Sequence, residues 1–592
     1  MNWTKRLLAV RSGSQAFGRG RFTMLHPGNR KVLAYVREYG DDVILCVFNV
    51  SRVAQPVELA LEAHKGRVPV EMLGRNAFPT IGDHPYMMTL PAYGFFWFRL
   101  ALDAAPPQWH VERLTIEDLP VLVLFDGWNS FFRSKVVPWR MGMAEKTRNQ
   151  FERDMLPRFM QRQRWYAAKN EPLTRATLSA HGVLGTDTAA WLLALVDTQG
   201  AAEPARYFVP MVLAFEEDDE DRVRDLTALA VTRVREQATM GVLADAMGDA
   251  PFCRALIEAI GAGRDVPGEG GSLRFTPTTA FAEVVSDALA QPTPLQRLTT
   301  SSNSITLLGD RLFLKAYRRL QPGISPELEM GRYLTDVAGY DHAVPVAGSV
   351  EFVAKDGSVW VLALLQAQVA NQGDAWSYTV DQLARLLEAQ RGSEADTRAD
   401  VEAMAARAQL LARRVAALHV ALGKRSGNAD FAPESITAAD LAAWSAGVRA
   451  ECQRTLALLP SRAATLSEPL AALAARVGAA GAALEERIAQ AARLAPVGLK
   501  TRLHGDLHLQ QVLIVRDDFL IIDFEGEPQR TLAERRAKHS ALRDVAGMLR
   551  SFDYARHTAV QQSAQGAVEY ERLAPIARQW QRRMREAFVE AY

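Results

Sequence analysis

The chain has 592 residues, of which 48% are hydrophobic and 23% are charged, a composition typical of globular proteins. At roughly 150 residues per domain, this length predicts about four domains or large subdomains. Lys plus Arg number 69 and Asp plus Glu number 68, giving a net charge of +1. This balance does not indicate nucleic acid as a partner, because nucleic-acid-binding domains are usually strongly basic.

Two further properties of the whole chain bear on its cellular location. No stretch approaches the roughly 18 apolar residues that a membrane span needs, so no membrane partner is expected. The three cysteines lie far apart in the sequence and form neither a disulfide framework nor a metal-ligand pair, which favours a reducing, cytoplasmic location.

Residues 1–103 predict a small all-β sandwich domain. Short strand-like runs alternate with turn residues along this segment, and Gly40-Asp41-Asp42 between two of the runs suits a hairpin turn. The segment carries no paired carboxylates and no nucleophile constellation, so we interpret it as a structural or sugar-contacting accessory domain. Ala104 to Pro107 are predicted to form a linker.

Residues 109–285 form a second region with a mixed pattern. Strands are predicted at 121–125 and 206–215, and a helix at 145–164. The acidic run at 216–221 is interpreted as a solvated loop rather than a metal site. This region is expected to form a subdomain that precedes the chemistry-bearing part of the chain.

The remaining sequence changes from strands to helices near residue 370. Residues 286–370 predict strands with one helix, and residues 371–592 are mostly helical and rich in alanine. The apolar spacing at 380–422 and 438–494 is not a sustained heptad, so packed helices are favoured over a coiled coil.

The chemistry-bearing segment lies at 504–526 and reads as a strand, a polar turn and a second strand. Asp506 lies in the turn and Asp523 follows the second apolar run, with Gln511 between them. Carboxylate and amide oxygens suit Mg²⁺ together with nucleotide phosphates. We therefore interpret Asp506 as the group that accepts the proton of an attacking hydroxyl, and Gln511 and Asp523 as metal ligands. The alternative is a hairpin whose carboxylates only cap turns.

A kinase-like site also needs a lysine on an upstream strand and a glutamate on the next helix. Lys315 follows an apolar strand-like run and supplies the lysine that contacts ATP. The helix that opens at Pro326 carries two candidates, Glu327 and Glu329. We prefer Glu329 as the partner of Lys315 because it lies one turn into the helix, although the choice between the two remains open.

The nucleotide itself needs a loop over its phosphates and a hinge for its adenine. The segment at 299–305 precedes the lysine strand and has hydroxyls and an amide where glycines are common, and such groups donate hydrogen bonds to phosphate oxygens. The hinge is expected where the strand at 359–369 meets the helical region. The predicted nucleotide-binding residues here are Ser302, Asn303, Ser304, Gln366 and Val369.

Together these residues resemble the maltokinase family, relatives of the aminoglycoside phosphotransferase-type kinases. The resemblance covers residues from about Trp109 to the end of the chain. The motifs that carry it are Gln163-Arg164-Trp165, Phe275-Thr276-Pro277-Thr278, Ser302-Asn303-Ser304, Leu312-Phe313-Leu314-Lys315, Pro326-Glu327-Leu328-Glu329, Asn371 to Trp376, His504 to His508, Ile522 to Pro528 and Leu542 to Tyr554.

This resemblance implies an α+β, bilobal protein-kinase-like fold. The implied parts are an N-terminal cap subdomain at 109–285, an N-lobe at 286–370 and a helical C-lobe at 371–592, preceded by the β-sandwich domain. Because the chain stops within a helical pattern where family members continue, the C-lobe is expected to be truncated.

The implied activity is ATP- and Mg²⁺-dependent phosphorylation of maltose at its anomeric hydroxyl. The product, maltose 1-phosphate, would feed α-glucan biosynthesis. The sugar is expected to lie on the C-lobe near His504, Glu525 and Arg543. An ion pair between Arg543 and the neighbouring Asp544 is an equal alternative for that arginine.

The first domain resembles the C-terminal β domain of trehalose synthase, a maltose–trehalose isomerase. Gln15 to Gly20 and His26 to Tyr35 carry this resemblance, and trehalose synthase–maltokinase fusions are known in the family. The catalytic barrel that should precede Met1 is absent, so no isomerase activity is expected. Trehalose synthase is a candidate partner.

Two other functions remain open from the sequence. The same fold could phosphorylate another sugar, glucosamine or an aminoglycoside, because a fold does not fix the acceptor. The chain could instead be a non-catalytic, truncated module that binds glucan or a partner protein. Stabilisation by nucleotide would distinguish either kinase from such a module.

Overall fold

The computed structural model describes residues 7–8, 10–11, 14–73, 76–102, 119–169, 171–186, 189–200, 204–289, 295–299, 303–392, 397–463, 465–564 and 566–592. The predicted linker at 104–107 lies outside the described residues, as does Ser302. The chain divides into two compact units, Met1–Thr115 and Ile116–Tyr592.

The first unit is a small β-sandwich. A short helix α1 (Ala16–Arg19) precedes the strands β1 (Arg21–Leu25), β2 (Val32–Tyr39), β3 (Asp42–Asn49), β4 (Gln55–Leu59), β5 (Val68–Glu71), β6 (Tyr86–Leu90) and β7 (Phe95–Ala101). One sheet has the order β1-β2-β3-β7-β5, and β4 pairs with β6 in a second sheet. Apolar side chains from both sheets form a shared core, which confirms the predicted sandwich.

The β2–β3 hairpin shows why this segment folds as predicted. Tyr39 pairs with Asp42 at its end, and Gly40 in the turn has a φ of 59°, a left-handed conformation that glycine adopts without strain. Along β2 the residues alternate between buried and more exposed positions, as expected of a strand with one face on a core.

The second unit begins with the cap, a mixed region of strands and short helices. Its elements are β8 (Val121–Leu124), α2 (Met141–Gln150), α3 (Leu156–Arg162), β9 (Arg175–Thr186), β10 (Ala189–Gln199), β11 (Arg206–Phe215), α4 (Glu220–Leu226), β12 (Ala230–Glu236), β13 (Thr239–Asp245) and α5 (Ala250–Gly261). A π-helical turn, Phe151–Met155, joins α2 to α3. The run at 216–221 that is predicted to be an acidic loop includes the first residues of α4. The Asp219 side chain accepts a hydrogen bond there from the Arg222 backbone N–H.

The N-lobe follows, and its strands continue the sheet of the cap. Its elements are β14 (Asp265–Glu269), β15 (Gly271–Pro277), α6 (Phe281–Val285), β16 (Leu295–Thr299), β17 (Asn303–Leu308), β18 (Leu312–Tyr317), β19 (Arg319–Leu320), α7 (Pro326–Arg332), β20 (Val346–Ala354) and β21 (Val359–Ala367). One sheet runs in the order β16-β17-β18-β21-β20-β15-β14-β9-β10-β11-β13-β12-β8, and β19 pairs with β11.

Helix α7 is the helix of the N-lobe that faces the site. Pro326 occupies its first turn, where the absence of a backbone N–H costs no hydrogen bond. The helix continues as a π-helical segment, Tyr333–Ala338, and ends at Gly339 in the left-handed conformation. Its apolar side packs partly into the N-lobe through Leu328 and partly into the C-lobe through Met330.

The C-lobe is mainly helical, as predicted. Its elements are α8 (Ala375–Gly392), α9 (Arg398–Leu422), β22 (Glu434–Ser435), α10 (Ala438–Ala463), α11 (Glu468–Ala479), α12 (Gly481–Ala492), β23 (Leu499–Thr501), β24 (Val512–Val515), β25 (Asp518–Ile521), α13 (Leu532–Arg536), β26 (His539–Ser540), α14 (Leu542–Ser563) and α15 (Ala567–Ala591). Helices α8, α9, α14 and α15 share one core with β24 and β25, which places that hairpin against the helices.

The predicted α+β fold class is confirmed. The second unit has a sheet-rich N-lobe and a helical C-lobe, with a cap before them, and the first unit is all-β. Among the described residues, no helix combines the length and the apolar character that a bilayer span requires.

Candidate active site

Lys315 lies on β18 where the two lobes meet. Successive side chains of a strand point to opposite faces of its sheet, so Lys315 and Tyr317 share one face while Ala316 and Arg318 share the other. Lys315 is buried, with 7% of its surface exposed. Its Nζ donates hydrogen bonds to Glu327 Oε2 at 2.7 Å and to Glu525 Oε1 at 2.5 Å. One lysine therefore joins the N-lobe helix to a loop of the C-lobe.

The charges around Lys315 favour its protonated form. Burial lowers the pKa of Lys315, but the carboxylates of Glu327 and Glu525 outweigh this effect and hold the pKa above its ordinary value. Burial raises the pKa of Glu327 to about 7 even though Lys315 lowers it. Tyr317 OH also donates to Glu327 Oε2 at 2.5 Å. The site thus holds more carboxylates than cations, which suits an incoming metal ion.

The preference for Glu329 as the partner of Lys315 is wrong. Glu329 instead accepts two hydrogen bonds from Arg536, at 2.7 and 2.9 Å, and its Oε2 lies 2.7 Å from Arg502 Nη2. Burial raises the pKa of Glu329, but the two guanidinium groups outweigh it and lower the pKa below its ordinary value. Since the two glutamates are separated by one residue on a helix, they face different neighbours, and Glu327 is the one turned toward the lysine.

The loop that carries Asp506 and the loop that carries Asp523 are tied together. His504 Nε2 lies 2.9 Å from the Ile522 carbonyl oxygen, and the Ile522 N–H donates to the Gln511 carbonyl at 3.0 Å. A Cβ atom on Gly505 would lie 3.5 Å from the Gly526 Cα, which shows how closely the two backbones approach. Both predicted chemical segments are therefore brought together at one place.

His504 holds this arrangement through both ring nitrogens. Its Nε2 faces a carbonyl oxygen, which can only accept, so the hydrogen is assigned to Nε2. Its Nδ1 then accepts from the Asp506 backbone N–H at 3.3 Å. The Asp506 side chain itself is 36% exposed, with Oδ2 3.9 Å from His508 Nε2. Asp506 therefore offers an accessible carboxylate from a fixed backbone.

Asp544 on α14 binds the backbone of the loop that carries Asp506. Its carboxylate is buried, and it accepts hydrogen bonds from the backbone N–H groups of His504 at 2.8 Å and Gly505 at 2.9 Å. His419 Nε2 lies 3.1 Å from Asp544 Oδ2. Burial raises the pKa of Asp544, but these neighbours outweigh it and the pKa stays below its ordinary value. The loop is thus anchored to an ionised carboxylate.

Three carboxylates could hold a metal ion. Oxygen atoms of Glu327, Asp523 and Glu525 all lie within 4.8 Å of one another, and all-oxygen ligand sets suit Mg²⁺. Asp523 has a φ of 65°, a left-handed conformation that Asp and Asn tolerate better than most residues. The donor set fits Mg²⁺, and a divalent ion would neutralise carboxylates that Lys315 alone does not balance.

Gln511, the other predicted metal ligand, ends a short 3-10 turn, Leu509–Gln511. Its backbone N–H donates to the His508 carbonyl at 2.9 Å. Its role as a metal ligand stays a prediction. Glu327 and Glu525 were not predicted as metal ligands, although the Asp523-Phe524-Glu525 spacing was a signal that could have pointed to Glu525.

Two of the three predicted sugar contacts have other roles. His504 is only 1% exposed and joins the two loops, so its assignment to the sugar is wrong. Glu525 instead contacts Lys315 and belongs to the carboxylate group with Asp523. Arg543 Nη2 donates to Glu527 Oε2 at 3.2 Å rather than pairing with Asp544. Its contact with a sugar stays a prediction.

The predicted nucleotide residues on the strands are only partly exposed to the site. Ser304 is buried on the face of β17 opposite Lys315, where its Oγ accepts a hydrogen bond from Arg318 Nε at 2.7 Å, so its side chain does not face the site. Gln366 pairs with Phe313 in the sheet. The Val369 carbonyl accepts from Asn371 Nδ2 at 2.9 Å. The roles of Asn303, Gln366 and Val369 stay predictions.

Comparison with protein families identifies two segments. Residues 22–97 match the maltogenic amylase C-terminal domain, and residues 159–249 match the maltokinase N-terminal cap domain. The two matches lie in different units of the chain. One chain therefore carries a segment similar to the maltogenic amylase C-terminal domain and a segment similar to the maltokinase cap.

Comparison with characterised proteins gives relatives of both parts. A trehalose synthase from Pimelobacter sp. (strain R48) is 52% identical over 104 residues, which are 17% of this chain and 18% of that protein. The chain therefore spans less than a fifth of the length of this relative. A glucosamine kinase from Streptacidiphilus jiangxiensis is 25% identical over 343 residues, which are 56% of this chain and 71% of that protein.

A solved structure of glucosamine kinase in complex with glucosamine, ADP and inorganic phosphate is also similar. It is 22% identical, covers 71% of this chain and 81% of that chain, and gives a TM-score of 0.48. The match to the maltokinase cap and the similarity to the characterised glucosamine kinase together support a sugar kinase.

Proposed function

We propose that this protein transfers the γ-phosphate of ATP to the anomeric hydroxyl of maltose and produces maltose 1-phosphate. The observation that carries the proposal is the buried Lys315–Glu327 pair, which shares a group of carboxylates with Asp523 in a chain with a maltokinase cap. A lysine–glutamate pair beside a metal-binding aspartate is the arrangement that protein kinases use for phosphoryl transfer from ATP.

In the proposed reaction Lys315 steadies the phosphates of ATP and Glu327 keeps the lysine in place. Asp506 accepts the proton of the sugar O1 hydroxyl as that oxygen attacks the γ-phosphorus. The bond between the γ-phosphorus and the bridging oxygen breaks, and ADP leaves with the electron pair. Most of the rate enhancement would come from positioning and from neutralised charge.

Asp523 and Glu525 would hold Mg²⁺, with Gln511 as the predicted further ligand. When bound, the ion would supply charge neutralisation for the phosphate oxygens. The surplus of carboxylates over cations around Lys315 supports this part of the proposal.

We also propose a cytoplasmic location and trehalose synthase as a partner. Cys46, Cys253 and Cys452 are all free thiols, which suits a reducing compartment. The β domain matches a segment of trehalose synthases, so a trehalose synthase catalytic domain could supply maltose close to the kinase.

Glucosamine is the second candidate acceptor. The observation that favours it is the similarity of more than half of the chain to a glucosamine kinase. A cationic acceptor would need more carboxylates at the sugar position than a neutral disaccharide would. An assay with each acceptor distinguishes the two candidates directly.

The test is ADP release from ATP and Mg²⁺ with maltose or with glucosamine, with product masses measured. Phosphorylated maltose from the native protein is the expected result, and Asp506→Asn should lower kcat by about 10²- to 10⁴-fold. Phosphorylated glucosamine instead would establish the second candidate. No product together with thermal stabilisation by ATP would point to another acceptor, and neither product nor stabilisation would indicate a non-catalytic module.

A further inference from the structure

Arg318 is a fully buried arginine that joins the cap to the N-lobe. It follows β18 directly and has 0% of its surface exposed. Its Nη2 donates to Asp245 Oδ2 at 2.6 Å, and its Nε donates to Ser304 Oγ at 2.7 Å. Asp245 ends the cap strand β13, whereas Ser304 is the second residue of β17. One guanidinium group therefore bridges two parts of the second unit.

The cap surrounds this guanidinium on its other sides. Arg318 Nη1 donates to the Phe208 carbonyl at 3.3 Å, and the guanidinium carbon lies 5.1 Å from the centre of the Trp165 ring. The Phe208 N–H donates to the Arg318 carbonyl at 2.8 Å. A buried charge is stable only when it is paired and hydrogen-bonded, and here the cap supplies most of the partners.

The cap also contacts β16 and β17 at two neighbouring points. Thr306, on the same face of β17 as Ser304, donates from Oγ1 to the Met247 carbonyl at 2.9 Å. Arg297 on β16 interacts electrostatically with both Asp245 and Arg318. Burial and Arg318 lower its pKa, whereas Asp245 raises it. The turn that follows β13 thus supports both strands of the hairpin.

This support is adjacent to the nucleotide machinery. Ser304 pairs with Ala316 across the sheet, and Ile305 pairs with Lys315. Arg318 therefore holds β17 from one face of the sheet. Lys315, on the neighbouring strand β18, lies on the other face. A shift of β17 would change where Asn303 and Lys315 lie relative to ATP.

We propose that Arg318 is a positioning residue through which the cap fixes β17 for nucleotide binding. The inference rests on the proposed ATP-dependent activity and deepens it, because it assigns the cap a task at the same site. Arg318 does not contact the nucleotide. It acts through Ser304, so its loss should affect ATP binding more than sugar binding.

The test compares KM for ATP, KM for the sugar and kcat across matched variants. Ser304→Ala removes only the acceptor of Arg318 Nε, and Arg318→Lys keeps the charge but loses the planar fork that reaches two partners. We expect KM for ATP to rise about threefold to tenfold in Ser304→Ala, and more in Arg318→Lys, with KM for the sugar unchanged. Ser304→Thr keeps a hydroxyl and should restore the native value.

Arg222→Lys is the matched control. Arg222 donates two hydrogen bonds to the buried Asp249 at 2.7 and 2.8 Å, so the variant weakens a comparable ion pair that lies within the cap alone. It should lower the melting temperature without raising KM for ATP. An equal rise of KM for ATP in Arg222→Lys, or no rise of KM for ATP in Ser304→Ala, would overturn the inference.

Thermal stabilisation by ATP measures nucleotide binding without a sugar acceptor. If the native protein is stabilised and Ser304→Ala is stabilised equally, the positioning role is wrong while ATP binding stands. If the native protein is not stabilised, the proposed function itself fails. The two failures are therefore distinguishable.

Discussion

Glu327 and Glu329 are separated by one residue on α7, yet they belong to different ion networks. Glu327 contacts Lys315 in the N-lobe, whereas Glu329 contacts Arg502 and Arg536 in the C-lobe. The same short helix therefore pairs with Lys315 and is tied to the C-lobe. Under the proposed function the first network acts on ATP and the second fixes the position of the lobes, so substitutions in the two networks should have different effects.

Glu329→Gln should destabilise the protein more than Glu327→Gln. Arg502 is almost fully buried, and removal of its carboxylate leaves a buried cation unpaired, which costs about 3 kcal/mol of unfolding free energy. In Glu327→Gln, Lys315 keeps Glu525 as a partner, so the main loss should be in ATP binding. Denaturant unfolding and ATP titration of both variants would measure this. Equal losses of unfolding free energy would contradict it.

Asp523→Asn should remove the effect of Mg²⁺ while preserving the fold. Asn tolerates the left-handed backbone conformation observed at Asp523, so the change removes a charge without adding strain. We expect the rise in melting temperature produced by Mg²⁺ with ADP to fall to the value produced by ADP alone. Gly339 lies outside the carboxylate group, and Gly339→Asn, at another left-handed position, is the control. A Mg²⁺ effect that survives in Asp523→Asn would exclude this residue as a ligand.

Asp544→Asn should disorder the loop that carries Asp506. An amide nitrogen cannot accept from the backbone N–H groups that the carboxylate now binds, so one buried donor would lose its partner. We expect a loss of about 1–3 kcal/mol in unfolding free energy, together with faster hydrogen exchange at Gly505. Unchanged exchange there would show that Asp544 does not anchor the loop.

Acid should destabilise the cap through His181. Burial lowers the pKa of His181 from 6.5 to about 4, and its ring stacks on Phe132 at 3.9 Å. The unfolded state binds the proton more readily than the folded state does. The contribution of neutral His181 to the unfolding free energy is therefore complete above pH 6.5 and is lost as pH falls toward 4. The full loss is about 3 kcal/mol at 1.36 kcal/mol per pKa unit.

His181→Phe removes the titrating group and keeps an aromatic ring for stacking. Its unfolding free energy should change less between neutral pH and pH 5 than that of the native protein. The exposed His84 lies in the first unit, and His84→Gln is the control variant. If His181→Phe retains the native pH dependence, another group is responsible.

The sequence predicted those parts of the site that depend on local pattern. Asp523 and Lys315 follow apolar runs and Asp506 lies in a polar turn before one, and such runs identify strands and the turns between them. The choice between Glu327 and Glu329 failed because both lie in the first turn of the same helix. Which glutamate contacts Lys315 depends on how α7 is rotated between the two lobes. That rotation follows from packing with Arg502 and Arg536. These two residues are distant in the sequence, and no local pattern relates them to α7.

Buried polar residues were the other group that the sequence could not reveal. Arg318 and Asp544 look like ordinary surface residues in a sequence, because charged residues are seldom fully buried. Their partners lie far away along the chain, at Asp245 and at His504. His504 was misassigned for the same reason, since a histidine beside a catalytic aspartate can contact a substrate or hold a loop, and only its neighbours decide.

The pairings of β14 with β9 and of β19 with β11 join the N-lobe and the cap in one sheet. Each loses hydrogen-bonding partners if the other unfolds, so the two should melt in a single cooperative transition. A shortened protein that begins after the cap would present an open strand edge, which favours aggregation. The smallest independently folding form of this kinase-like unit therefore includes the cap.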